Sequence, residues 1–201
     1  MEYKFTNNWF EINAKSVWEQ LFHEISPAKV LEIGSYEGRS TTWLLEQESV
    51  IEITCIDSWQ GGAEHQARGV DMIEVERRWD HNRILWETAF PKKRINKIKG
   101  RSSIELAGLL RSNEVSPFDF VYVDGSHDPA DVIVDACLAF DLLGKNGILV
   151  FDDYTWIYSE NNQRYPHRSP KIAIDFFTTV FSDRIRMINA PIKQIIIQKI
   201  V

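Results

Sequence analysis

The sequence predicts an α/β fold on a mostly parallel sheet whose last strand runs antiparallel. Three observations lead there. Segments with helical apolar spacing alternate with short apolar runs along the chain, the pattern of parallel strands joined by crossover helices. The last two apolar runs, "RIRMINA" and "KQIIIQKIV", are split only by a short connection at Pro191, whereas a parallel pair needs a crossover of a dozen or more residues. Two runs, "FVYVDGSH" (120–127) and "GILVFDDY" (147–154), stop abruptly on acids, at the strand ends where open α/β sheets place ligands.

Taken in order, residues 11–25 carry Ile12, Val17, Trp18, Leu21, Phe22 and Ile25 at helical spacing, closed by Pro27. "KVLEIG" is a buried strand, and "GRSTTWLLEQ" a helix entered through a glycine turn. "VIEITCID" is the second strand, and residues 71–89 are a long helix with Trp79, Ile84, Leu85 and Phe90 as packing residues. "RINKIKG" is the third strand, followed by the helix "SSIELAGLLR" with Ser102 or Ser103 as N-cap. "FDFVYVD" is the fourth strand, and "PADVIVDACLAFDLL" a helix with Pro129 in its first turn. "GKNG" is a turn into the fifth strand, "ILVFDD", and the helix "PKIAIDFFTTVF" precedes the two closing strands. With no boundary or repeat in view, residues 1–201 read as one domain. Two long connections, 58–70 and 154–169, follow strand ends, and long loops there are more often functional than decorative.

The 201 residues are 44% hydrophobic and 26% charged, with net charge −6 and no basic block. That composition argues against a nucleic-acid partner, although recognition of a single flipped-out or terminal nucleotide survives it. Cys55 and Cys137 lie in apolar runs and read as buried free thiols. "MEYKFTNNWFEINAK" lacks a signal-peptide core, and no run approaches the roughly 20 apolar residues of a membrane span. A cytoplasmic protein with no membrane partner is expected.

"VLEIGSYEGRS" places Glu32 before a Gly34-x-x-x-Gly38 turn. Gly34 permits the tight turn, and Gly38 lets backbone approach a ligand closely. Asp57 closes the next strand, where an acid can accept both ribose hydroxyls of an adenosine. The Gly-x-Gly-x-x-Gly of nicotinamide binding is absent, and the glycines alone would also serve as punctuation between helix and strand.

On these residues the chain resembles the class I S-adenosylmethionine-dependent methyltransferases, over nearly its whole length. The resemblance implies a Rossmann-like three-layer sandwich with a seven-stranded sheet. It implies that the glycine loop runs along the methionine part of the cofactor, that Asp57 binds the ribose and that Ser102 in "GRSS" reaches the adenine. Glu32, Gly34, Ser35, Gly38, Asp57, Ser58, Ser102 and Asp124 are then cofactor candidates. Ser40 and Thr41 would donate to the methionine carboxylate or simply cap their helix, and Trp59 would cover the adenine or sit in the core.

Asp124, Asp152 and Asp153 end adjacent strands and should converge. Convergent carboxylates repel and are costly to assemble without a cation, and hard oxygen ligands suit Mg²⁺, Mn²⁺ or Ca²⁺. Alternatively, Asp152 and Asp153 cap loops and only Asp124 faces the cofactor. The acids resemble the metal site of the catechol O-methyltransferase branch, and "VDGSHDP…GKNGILVFDDY" is similar to macrocin-type sugar O-methyltransferases. Catechol-type enzymes usually carry Asn at the position of Asp153, which tilts the expectation toward a sugar-like or vicinal diol. The resemblance implies an O-methyltransferase with a divalent cation, Mg²⁺ first, and a small-molecule hydroxyl acceptor.

His127, three residues after Asp124, is a candidate base, an additional ligand or a loop residue. His65 has ligand chemistry but no evident partner. The stretch Tyr154, Thr155, Trp156, Ile157, Tyr158, then Arg164, Tyr165, His167 and Arg168 is aromatic and basic, which suits an acceptor lid and hints at a homodimer. A metal-independent N- or carboxyl-methyltransferase and a non-catalytic cofactor-binding protein stand as alternatives.

Overall fold

The computed structural model of the chain describes residues 2–112, 116–160 and 163–201. Residues 161–162 of the aromatic connection thus lie outside the described residues. In chain order the elements are α1 (Trp9–Asn13), α2 (Lys15–Glu24), β1 (Lys29–Ile33), α3 (Arg39–Glu46), β2 (Glu52–Asp57), α4 (Ala63–Ala67) and α5 (Met72–Ala89). They continue with β3 (Arg94–Lys99), α6 (Ser102–Arg111), β4 (Phe118–Val123), α7 (Pro129–Leu142) and β5 (Leu143–Phe151). A hairpin of β6 (Tyr158–Glu160) and β7 (Gln163–Tyr165), then α8 (Pro170–Val180), β8 (Ile185–Ile188) and β9 (Ile195–Lys199), complete the chain.

The main sheet has seven strands in the order β3-β2-β1-β4-β5-β9-β8. Strands β1 to β5 pair in parallel, and β9 runs antiparallel to both β5 and β8. Successive strand residues face opposite layers. Val30, Cys55, Tyr122 and Val150 pack under α2, α3 and α5, and Leu31, Ile56, Val121 and Phe151 pack under α6, α7 and α8. The strand order reverses between β1 and β4, the switch point where such sheets bind ligands beyond their carboxyl ends.

The alternation of elements and the antiparallel last strand appear as expected. Four local readings do not. Residues 11–25 form two helices meeting at Ala14 rather than one. Arg101, not Ser102 or Ser103, occupies the N-cap position of α6, without a side-chain cap bond, and Ser102 is already helical with its hydroxyl donating to Asp135. "GKNG" is a bulge inside β5: the register steps from Phe118↔Leu143 to Phe120↔Ile148, and Asn146 takes φ 65°. Ile84 is exposed, because α5 buries Val75, Trp79, Asn82 and Trp86 and turns Ile84 outward. Both cysteines are free, with Cys55 buried and Cys137 half-buried. Among the described residues, no helix is long and apolar enough to cross a membrane.

Candidate functional site

The glycine turn is fixed by what surrounds it. Gly34 has φ 87°, and a Cβ there would lie 2.1 Å from the Asp124 carbonyl oxygen. At Gly38, φ 79°, a Cβ would meet the Trp86 ring at 2.3 Å. A side chain at Gly38 is therefore excluded by Trp86. Asp57 holds the loop between them. Its Oδ2 accepts the backbone N–H of Ser35 and of Tyr36, each at 2.9 Å, and its Oδ1 accepts that of Trp59 at 2.7 Å. Burial pushes the Asp57 carboxyl up, and these backbone donors oppose the push.

Glu32 is fully buried beneath the loop and accepts the hydroxyls of Ser40 and Thr41, each at 2.5 Å. Those hydroxyls give their protons to Glu32 and do not cap their helix, because a buried carboxylate without donors would be far costlier. Trp59 lies in the core, its ring edge-on to Trp79 at 5.4 Å and its indole N–H donating to the Tyr36 carbonyl. Ser58 accepts the Gln60 N–H at 3.2 Å. Ser102 Oγ donates to Asp135 Oδ2 at 2.8 Å, and burial pushes Asp135 up to about 6.

The second half of the site stands where β4 and β5 end side by side. The N–H of Asp124 bonds the Ile33 carbonyl and that of Asp152 bonds the Val123 carbonyl, so both acids start at the sheet edge. The Tyr122 hydroxyl sits between their carboxylates, 2.9 Å from Asp124 Oδ2 and in close contact with Asp152 Oδ2. One hydroxyl has one proton, so it serves one acid at a time. Burial and the charges of Asp152 and Asp153 push Asp124 well above the ordinary carboxylate range. Burial and the Asp153 charge likewise raise Asp152.

Asp153 adopts φ 55°, a left-handed conformation uncommon for a residue with a side chain, and its Oδ2 lies 2.7 Å from His127 Nε2. Burial alone would lower the His127 imidazole, but the hydrogen bond and charge of Asp153, with Glu64 and Asp152 behind it, raise it instead. Asp124, His127 and Asp153 each offer a ligand atom within 4.8 Å of the others. The expected trio of acids is thus regrouped: His127 joins Asp124 and Asp153, and Asp152 is linked through Tyr122. Trp156 lies over His127 with ring centroids 4.2 Å apart, and Arg168 lies 4.0 Å above the Tyr158 ring. Tyr122, Tyr36 and Glu64 contribute here without a signal in the sequence. His65, which has a ligand's chemistry, stacks on Tyr36 at 5.4 Å.

Residues 31–154 match the model of a family described as a methyltransferase domain, and the chain belongs to this family of S-adenosylmethionine-dependent methyltransferases. No curated protein sequence matches the chain. Solved structures share the fold. The N-methyltransferase NodS from Bradyrhizobium japonicum WM9 aligns with TM-score 0.60 at 14% identity, over 98% of this chain and 100% of its own. An O-methyltransferase from Bacillus cereus in complex with SAH aligns with TM-score 0.59 at 16% identity, over 100% and 84%. The MycE methyltransferase of the mycinamycin biosynthetic pathway, in complex with Mg, SAH and mycinamycin VI, aligns with TM-score 0.61 at 18% identity, over 98% of this chain and 51% of its own.

Proposed function

We propose that the protein is a divalent-metal-assisted O-methyltransferase acting on a hydroxyl of a small-molecule or sugar-like acceptor. The observation that carries this reading is the set Asp124, His127 and Asp153, with ligand atoms within 4.8 Å and Asp152 adjacent. These donors fit a cation. Burial and mutual repulsion raise Asp124 and Asp152, and one tyrosine proton is shared between two carboxylates. Asp124 and Asp153 would hold the ion through oxygen, with Asp152 or His127 completing the set, which suits Mg²⁺ or Mn²⁺. Such an ion, when bound, lowers the pKa of a neighbouring hydroxyl and orients it, which a poor neutral nucleophile requires. That MycE is held with Mg in a chain of the same fold adds support.

The protein's own groups complete the reading. The glycine loop lines the cofactor edge, and Asp57 keeps a lone pair on Oδ1 beside its bond to Trp59. Trp156, Tyr158 and Tyr165 form an aromatic wall beside the acids, suited to a sugar or planar ring. Calorimetric titration with S-adenosylhomocysteine, with Mg²⁺ present and absent, together with a radiolabelled methyl-transfer screen over diols, catechols and amines, tests the reading. Chelation should abolish turnover and Mg²⁺ or Mn²⁺ restore it. Turnover indifferent to chelator would overturn the metal assignment and leave a metal-independent enzyme, whose acceptor the same screen identifies.

A further inference from the structure

His127 is flanked on both ring nitrogens. Its Nε2 lies 2.7 Å from Asp153 Oδ2, and its buried Nδ1 has no hydrogen-bond partner within normal distance. Among the described residues, the carboxylate set against Nδ1 is Glu64, with Oε1 at 3.6 Å. Glu64 comes from elsewhere in the chain, on the short α4 in the connection after β2. The His65 ring stacks on Tyr36 of the glycine turn and so anchors α4, which leaves the preceding Glu64 directed at the loop after β4.

The other neighbour of Glu64 Oε1 is His65 Nδ1 at 3.1 Å. That nitrogen accepts the backbone N–H of Gly62 at 3.2 Å, and a nitrogen that accepts has no proton to give. Within α4 the Glu64 carboxylate has its own backbone N–H as a donor, and the facing Nδ1–H of His127 adds a side-chain donor after a shift of about half an ångström. Trp156 holds the plane of the imidazole. What remains open is which edge of the ring points at the acids, and a carboxylate on the Nδ1 side decides it.

We propose that Glu64 is a positioning residue, which accepts the Nδ1 proton of His127 and so directs Nε2 at Asp153 and Asp124. Its kinetic consequences rest on the methyl-transfer reading of the site, but the pairing itself does not. In the full-length protein alone, nitrogen-15 spectra of the histidine rings should show a His127 Nδ1–H protected from solvent exchange. Glu64→Ala should lose that resonance, and Glu64→Gln should keep it, because the amide oxygen still accepts. With catechol or a vicinal sugar diol as acceptor, Glu64→Ala should lower kcat about 10–100-fold, the usual range for a residue that orients a functional histidine. Its KM for the methyl donor should stay within about twofold, and Glu64→Gln should recover most of the rate. A protected Nδ1–H that persists in Glu64→Ala, or an unchanged kcat, overturns the proposal. If the wild-type protein transfers no methyl group to these acceptors, the functional reading falls, and the resonance still decides the pairing.

Discussion

Two groups of acids sit on the same edge of the sheet and are treated in opposite ways. At the ends of β1 and β2, each acid is matched with donors: Glu32 receives two hydroxyls, and Asp57 receives three backbone N–H groups. At the ends of β4 and β5, Asp124 and Asp152 share one tyrosine proton, with only the Asp153 backbone N–H as a further donor to Asp152 Oδ1 at 2.8 Å, and Asp153 relies on a histidine. A carboxylate with a full set of donors is a brace that holds the loop around it. Carboxylates short of donors and close together keep their repulsion in the folded state until a cation or a proton relieves it. An acid at a strand end therefore says little about function until its donors are counted.

The largest expected effect comes from removing an acid on the donor-poor side. Asp124→Asn keeps the shape and removes a carboxylate crowded by the charges of Asp152 and Asp153. Methyl transfer should fall about 10²–10⁴-fold, since several kcal/mol of barrier rests on a bound ion. The folded protein without metal should be as stable as the wild type or more so, because the change relieves repulsion. A loss of stability matching the loss of rate would make Asp124 a brace like Glu32. The mirror experiment is Glu32→Ala. It strands the Ser40 and Thr41 hydroxyls in the core and should cost about 3–6 kcal/mol in urea unfolding, for two lost bonds to a charged group. If Glu32→Ala unfolds normally but loses cofactor affinity, the brace assignment fails and Glu32 belongs to the binding surface.

Features set by local pattern were legible in the sequence, and those set by a partner distant in the chain were not. Alternating periods gave the layers, and the short connection at Pro191 required the antiparallel strand. The acids at 124, 152 and 153 were visible as strand ends. That Ser40 and Thr41 answer to Glu32 depends on α3 packing across β1, and that "GKNG" becomes a bulge depends on its pairing with β4. Trp59 was open between a ligand cover and the core; its indole packs on Trp79, with φ 49° at its backbone, a contact with a helix 20 residues further on that the strand end alone does not announce. Glu64 carries no signal at all, because its place follows from the stack of His65 on Tyr36.

A smaller effect probes the wall beside the donor-poor acids. Trp156 covers His127, and Tyr158 and Tyr165 continue the aromatic surface outward. Trp156→Ala should raise KM for a ring-bearing acceptor about 3–10-fold, in line with ~0.5–1.5 kcal/mol for an aromatic contact. Affinity for S-adenosylhomocysteine, measured by calorimetry, should not change. Equal weakening of both would move the aromatic wall to the cofactor side of the site.

Asp135 lies between the two groups and gives the smallest effect. It has one donor, Ser102, while its Oδ1 is buried without a partner, so it is short of donors but not crowded by the acid cluster. Burial first, with the Asp131 charge adding to it, pushes its carboxyl from 3.8 up to about 6, against the pull of Ser102 and Arg101. The folded state therefore binds a proton that the unfolded chain releases, and the associated stability is lost as pH rises through about 6. From pH 5 to pH 7 the loss should be on the order of 1 kcal/mol, because about one pH unit of that interval lies below the folded pKa. Glu32, Asp57, Asp124 and Asp152 are raised as well and act in the same direction, so the quantity to measure is the difference between wild type and Asp135→Asn. Urea unfolding at both pH values should show a steeper decline for wild type than for the variant. Ser102→Ala should steepen it further, since it removes a hydrogen bond that favours the ionised form. Parallel declines in wild type and Asp135→Asn would mean that Asp135 stays ionised throughout, satisfied by Ser102 and Arg101.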